Sequence, residues 1–157
     1  MRMKKKIVFL GNNIFLEDKI ALVVGEILRQ ELVKKGFEVE VIERSGVSLI
    51  DFFEETDLLI IVDSIYVSRE DLYGEVFKID LSKYRGSYVK SPHNLSIKDV
   101  IDILKTLDER YPEKILVIGI GIKDLYTLSD KLSDNLERKL NYISKKILEI
   151  INDEIKI

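Results

Sequence analysis

The chain of 157 residues has no cysteine, no tryptophan, one histidine and two prolines. Without cysteine there is no disulfide, no thiolate zinc site, no iron–sulfur cluster and no thiol nucleophile. With one histidine, no site can draw two imidazoles from a single copy. Glycine is also scarce, at 8 residues, and this composition excludes a collagen-like or low-complexity chain. Neither sign of charge dominates. The 25 Lys and Arg against 28 Asp and Glu leave a net charge of −3, so no general basic surface awaits a nucleic acid. Long hydrophobic runs are missing too. None exceeds the length of the run from Leu58 to Val62, which is strand-sized and far below the ~18 residues of a membrane-spanning helix. The basic start, Met1 to Lys6, leads into an apolar stretch that Gly11-Asn12-Asn13 cuts off before it reaches the length of a signal-peptide core. A cytoplasmic location, with no membrane and no nucleic-acid partner, is the expectation.

What is present is a soluble globular pattern, with 46% hydrophobic and 34% charged residues, and a length that supports one domain over 1–157. Ile7 to Leu10 reads as a buried strand ended by Gly11-Asn12-Asn13. From Lys19 to Lys35 the apolar positions Ile20, Val23, Val24, Ile27, Leu28 and Leu32 fall on one helix face, and Gly36 stands where a C-cap glycine belongs. Glu38 to Ile42 alternates as a strand. A short helix is expected over 48–54. Leu58 to Val62, apolar on both faces, is a buried strand that stops at Asp63-Ser64. Glu75 to Leu81 alternates and reads as an edge strand, and 84–94 as a loop. Ser96 starts a helix with Ile97, Val100, Ile101, Leu104 and Leu107 inward. Lys114 to Ile120 is another buried strand, stopped by Gly121. A final helix is expected from about Ser129 to the end, with Leu132, Leu136, Leu140, Ile143, Ile147 and Ile150 as its core stripe. This alternation predicts an α/β fold: three layers, with a mostly parallel twisted sheet of about five strands and helices on both faces.

In such sheets ligands bind beyond the carboxyl ends of the strands, so those ends carry the candidate residues. The first loop lacks Gly-x-Gly-x-x-Gly, which excludes a dinucleotide fingerprint, and no Walker-type Gly-Lys-Ser/Thr occurs anywhere. Glu17-Asp18 instead puts two carboxylates at the start of a helix. Read locally, Asp18 is an N-cap and Glu17 its solvated neighbour. Asp63 ends the buried Leu58–Val62 strand, where a carboxylate either caps nearby amides or serves a ligand. His93, the only histidine, precedes a predicted helix in Ser91-Pro92-His93-Asn94. Taken together, Asp18, Asp63 and His93 fall in loops at one edge of the predicted sheet. Two carboxylates and one imidazole suit a divalent cation that keeps positions open for other ligands. With no thiolate, the set is weak for a bare ion and fits better a metal that arrives already bound to something else.

The order and spacing of these segments resemble the nickel–iron hydrogenase maturation endopeptidases. Gly11-Asn12 is followed seven positions after the glycine by the acidic pair Glu17-Asp18. A hydrophobic strand then ends in Asp, as Ile60-Ile61-Val62-Asp63. Next come Gly74-Glu75-Val76-Phe77, Ser91-Pro92-His93, the strand end Val117-Ile118-Gly119-Ile120, and the Leu128-Ser129 step. The likeness spans nearly the whole chain. It implies an aspartic-type endopeptidase that removes a C-terminal extension from the precursor of a hydrogenase large subunit after nickel insertion, with the substrate's nickel as recognition signal. The family's metal ligands fall on Asp18, Asp63 and His93, and either Asp18 or Asp63 is the candidate catalytic base. Nickel is then carried by the substrate and held weakly or not at all by the isolated protein. Some positions depart from the family. Lys19-Ile20-Ala21 replaces Gly-x-Gly, Glu43-Arg44-Ser45-Gly46 replaces Asp-Gly-Gly-Thr, and Gly121-Ile122 stands where a proline is usual. Three other readings compete. A non-proteolytic assembly factor would bind the large subunit and leave its mass unchanged. A peptidyl-tRNA hydrolase-like enzyme would share the Gly-Asn turn but needs a basic groove. A flavodoxin-like carrier would need a Ser/Thr-rich phosphate cradle that the first loop lacks.

Overall fold

In the computed structural model, which describes residues 3–43, 56–80 and 112–156, the chain opens with strand β1 (Lys5–Leu10). Helix α1 (Ile20–Lys34) and strand β2 (Phe37–Ile42) follow. Strand β3 (Leu58–Tyr66), a 3-10 turn at Glu70–Leu72 and strand β4 (Val76–Asp80) come next. Strand β5 (Lys114–Ile122) leads into a short helix α2 (Asp134–Arg138) and a long helix α3 (Leu140–Ile155). The five strands form one sheet in the order β2-β1-β3-β5-β4. Every pairing is parallel except β4 with β5. From β1 the chain moves outward to β2 and then returns to the other side as β3. The strand order therefore reverses between β1 and β3, which makes that crevice the topological switch point where α/β sheets take ligands.

The predicted periods hold in the strands and in most of both long helices, but Ile27, expected on the buried face of α1, is 53% exposed and Val23 is half-buried, while Ala21 and Leu22 are buried in their place. Ile20, Ala21, Val24, Leu28 and Leu32 of α1 pack on Ile7, Phe9, Ile60 and Val62 of the sheet. Ile143, Ile147 and Ile151 of α3 join the same cluster, and α1 and α3 lie against each other on that face. Each fully buried aliphatic side chain contributes roughly 1.5–3 kcal/mol. The opposite face is also dry, since Val8, Leu59, Ile61 and Val117 are buried, so both faces of the sheet are covered. Gly36 takes φ +91° just past α1, the conformation that a glycine allows at a helix end.

Three boundaries differ from expectation. Strand β3 does not stop at Asp63-Ser64: the ladder with β5 continues through Asp63↔Gly119 to Tyr66↔Ile122. Nor does Gly121 end β5. A Cβ there would lie 2.2 Å from the Leu72 carbonyl oxygen, so the bare glycine lets the 3-10 turn press onto the strand. Its amide and carbonyl then bond Glu75 O at 2.9 Å and Gly74 N at 2.8 Å. The last helical region begins at Ser133, not Ser129. The Ser133 hydroxyl accepts from Leu136 N at 3.4 Å, and the helix breaks at Lys139 before α3. The helices expected at 48–54 and 96–107 and the loop expected at 84–94 lie outside the described residues.

Candidate active site

The loop after β1 is closed by its own motif. A Cβ on Gly11 would sit 2.5 Å from the Asp18 carbonyl oxygen, so only glycine lets the chain return this closely. Asn12 N donates to that same oxygen at 3.4 Å, and the Asn12 side chain accepts from Ile14 N at 3.1 Å, an Asx turn. The seven-residue spacing from Gly11 to Asp18 is thus the length of one closed loop, with Asp18 delivered to the switch point.

Asp18 and Asp63 are each only 2% exposed. The Ser64 hydroxyl donates to Asp18 Oδ1 at 2.5 Å, and the Ser64 amide donates to Asp63 Oδ1 at 2.8 Å. One residue therefore ties the two carboxylates together, one through its side chain and the other through its backbone. Ser64 carries no warning in the sequence beyond following Asp63. The local reading of Asp18 as an N-cap is overturned. Lys19 occupies the cap position without a side-chain cap bond, and the Ile20 and Val23 amides go to the Glu17 and Lys19 carbonyls.

Glu17 is not solvated either; it is 3% exposed. Its Oε1 accepts from the amides of Lys123 and Asp124, both at 2.9 Å. Its Oε2 accepts from the Ser133 hydroxyl at 2.8 Å and from the Tyr73 hydroxyl. Burial, together with donation to this carboxylate, pushes the Tyr73 phenol up to about 12. Four donors from three distant parts of the chain converge on one side chain, which no local pattern reveals. Lys19, which would oppose a cation at this site unless turned aside, is also buried, and its Nζ donates to the Ser129 carbonyl at 2.5 Å.

The structure thus brings Asp18 and Asp63 to one rim, joined by Ser64. His93, with its Ser91-Pro92 lead, lies outside the described residues. Among the described residues, no group of three His, Asp or Glu side chains is arranged to hold a metal. A groove of about 640 Å³ is lined by Glu17, the neighbour of Asp18 in the chain, and by Tyr66, Tyr73, Lys123 and Tyr126 among others; Asp18 and Asp63 themselves do not line it. Among the described residues, no helix is long and apolar enough to cross a membrane.

The comparisons with known proteins agree with this fold. A family model described as hydrogenase maturation protease matches residues 22–150, a span that contains Asp63 and His93 and begins just after Asp18. The fold is shared with the hydrogenase maturating endopeptidase HybD from Escherichia coli, at 21% identity and a TM-score of 0.70, over 98% of this chain and 94% of that one. It is shared with the [NiFe] hydrogenase maturation protease HybD from Thermococcus kodakarensis, at 24% identity and 0.65, over 94% and 99%. An Escherichia coli endopeptidase solved in solution aligns at 22% identity and 0.72, over 96% and 94%. No curated protein sequence matches. The chain belongs to the hydrogenase maturation protease family and is a peptidase of hydrogenase maturation.

Proposed function

We propose that the protein removes a C-terminal extension from the nickel-loaded precursor of a nickel–iron hydrogenase large subunit. Asp18, Asp63 and His93 engage the substrate's nickel, which serves as the signal that the precursor is ready to be cut. The observation that carries this reading is the pair of buried carboxylates at the switch point, coupled through Ser64. Oxygen ligands of this kind, with at most one imidazole and no thiolate, do not outcompete a thiolate-rich site for nickel. They are suited to completing the shell of a metal that the precursor already holds.

In the cleavage step, water attacks the scissile carbonyl carbon. One of the two aspartates takes its proton as general base. The peptide C–N bond then breaks, and the proton passes to the leaving amine. The substrate's nickel supplies recognition and polarises the reacting groups. Ser64 bonds to both carboxylates and so ties Asp18 to Asp63.

The direct test is incubation with precursor followed by intact-mass measurement. Wild type is expected to release a C-terminal peptide from the nickel-loaded precursor, and His93→Ala to leave it whole. Unchanged processing by His93→Ala removes that ligand assignment. A stable complex with no mass change would identify a non-proteolytic assembly factor instead.

A further inference from the structure

Glu17 and Lys19 flank Asp18 in sequence, and both are committed to the same distant segment, 123–133. Glu17 holds the amides of Lys123 and Asp124 and the hydroxyl of Ser133. Lys19 holds the carbonyl of Ser129. Between them the backbones are zipped: Leu16 N to Thr127 O at 2.8 Å, Ser129 N to Ile14 O at 3.0 Å, and Ser133 N to Leu16 O at 3.3 Å, with a Phe15–Leu128 bridge. The loop that carries Asp18 and the segment after β5 therefore move as one piece.

That segment presents large apolar side chains to solvent. Tyr126 is 83% exposed and Leu128 69%, with Ile14 beside them on the partner loop. Tyr126 is nonetheless fixed at its base. Asp124 Oδ1 accepts from the amides of Tyr126 at 3.0 Å and Thr127 at 2.8 Å, and Oδ2 from the Thr127 hydroxyl at 2.5 Å. A rigidly mounted, exposed aromatic has the character of an interface anchor. It walls the 640 Å³ groove whose floor is Glu17, the residue next to Asp18. Aromatic walls mixed with hydrogen-bonding groups, at this volume, fit a short stretch of peptide.

We propose that Glu17 is a positioning residue: it locks the 123–133 segment to the Asp18 loop, so that the Tyr66–Tyr126 groove seats the precursor's peptide chain where it runs towards the scissile bond. The inference rests on the proteolytic reading for its substrate, but not for its geometry. The carboxylate acts through shape, not charge. A glutamine can accept both amides on its carbonyl oxygen and donate its NH2 to the two hydroxyls, each of which can turn to accept.

The test is steady-state kinetics on nickel-loaded precursor. Tyr126→Ala, a surface change, is expected to raise KM about tenfold, with kcat within about threefold and Tm unchanged. Glu17→Ala is expected to raise KM about tenfold or more, and Glu17→Gln to restore it to within about threefold of wild type. A merely structural role for Glu17 would lower the folded fraction and leave KM untouched. An unaltered KM in Tyr126→Ala overturns the proposal, and so does a folded Glu17→Ala with normal KM. If Glu17→Ala does not fold, Tyr126→Ala decides alone. If wild type leaves the precursor whole, the proteolytic reading fails by itself. Equilibrium binding of the same precursor to wild type and Tyr126→Ala then decides the groove: about tenfold weaker binding upholds it, and equal binding overturns it.

Discussion

Two carboxylates are buried at opposite ends of the same sheet and are treated in opposite ways. At the carboxyl end, Glu17 is held by two amides and two hydroxyls, all neutral donors. At the amino end, Glu154 in the last turn of α3, its side chain 4% exposed, is held by two ammonium groups, Lys114 of β5 at 2.6 Å and Lys78 of β4. Neutral donors make Glu17 a hydrogen-bond hub that fixes the shape of the loop carrying Asp18. The lysines cancel the charge of Glu154 and clamp the helix to the base of the sheet. The carboxyl end is fixed by hydrogen bonds from neutral groups and the amino end by ion pairs. Each end can be probed by removing what it relies on.

The largest effect is expected at the site itself. Asp63→Asn keeps an acceptor for the Ser64 amide but loses the charge, and processing of nickel-loaded precursor should fall about a thousandfold while the urea midpoint stays near wild type. Retained activity would show that the charge of Asp63 is not what the site requires. The second effect is on stability. Glu17→Ala strips the acceptor from four donors and is expected to cost about 3 kcal/mol in urea unfolding, a loss that added salt does not reduce.

Tyr73 extends the same contrast into alkali. Its folded value is raised from 10.0 to about 12, so the folded protein keeps this proton longer than the unfolded chain. The contribution is whole below pH 10 and is lost as pH rises to 12, at most about 3 kcal/mol. Tyr73→Phe should remove that decline, as read by the urea midpoint across this window.

The smallest effect is expected at the amino end. Burial works to raise the Glu154 carboxyl, but Lys114 and Lys78 outweigh it and hold it below the usual 4.5. Its contribution is therefore present above that value and lost as pH falls through the lowered one. Glu154→Gln should cost about 1 kcal/mol at pH 7, flatten the acid limb and, unlike Glu17→Ala, lose less in high salt, because both lysines are half-exposed.

The same contrast separates what the sequence reveals from what it hides. The central strands, α1 and the α3 stripe are legible because burial imposes a period on them. Strand ends are not. Asp63-Ser64 and Gly121 look like stops, yet the β3–β5 ladder carries both strands onward, because each supplies the other's partners. At the site, Asp18 and Asp63 are found by their place after β1 and within β3. Glu17 reads locally as solvated because its donors come from Tyr73, Lys123, Asp124 and Ser133, each more than fifty positions away. The helix starts at Ser133 and not at the expected Ser129, because Ser129 is tied to Ile14 and Lys19 of the first loop while Ser133 caps Leu136 and bonds Glu17.

The central claim, that this carboxyl rim reads a metal brought by the substrate, is tested most directly by the intact mass of one precursor preparation, half loaded with nickel and half left empty. Loss of a C-terminal peptide from the loaded half alone is the expected result. Equal cleavage of both halves, or of neither, would contradict it.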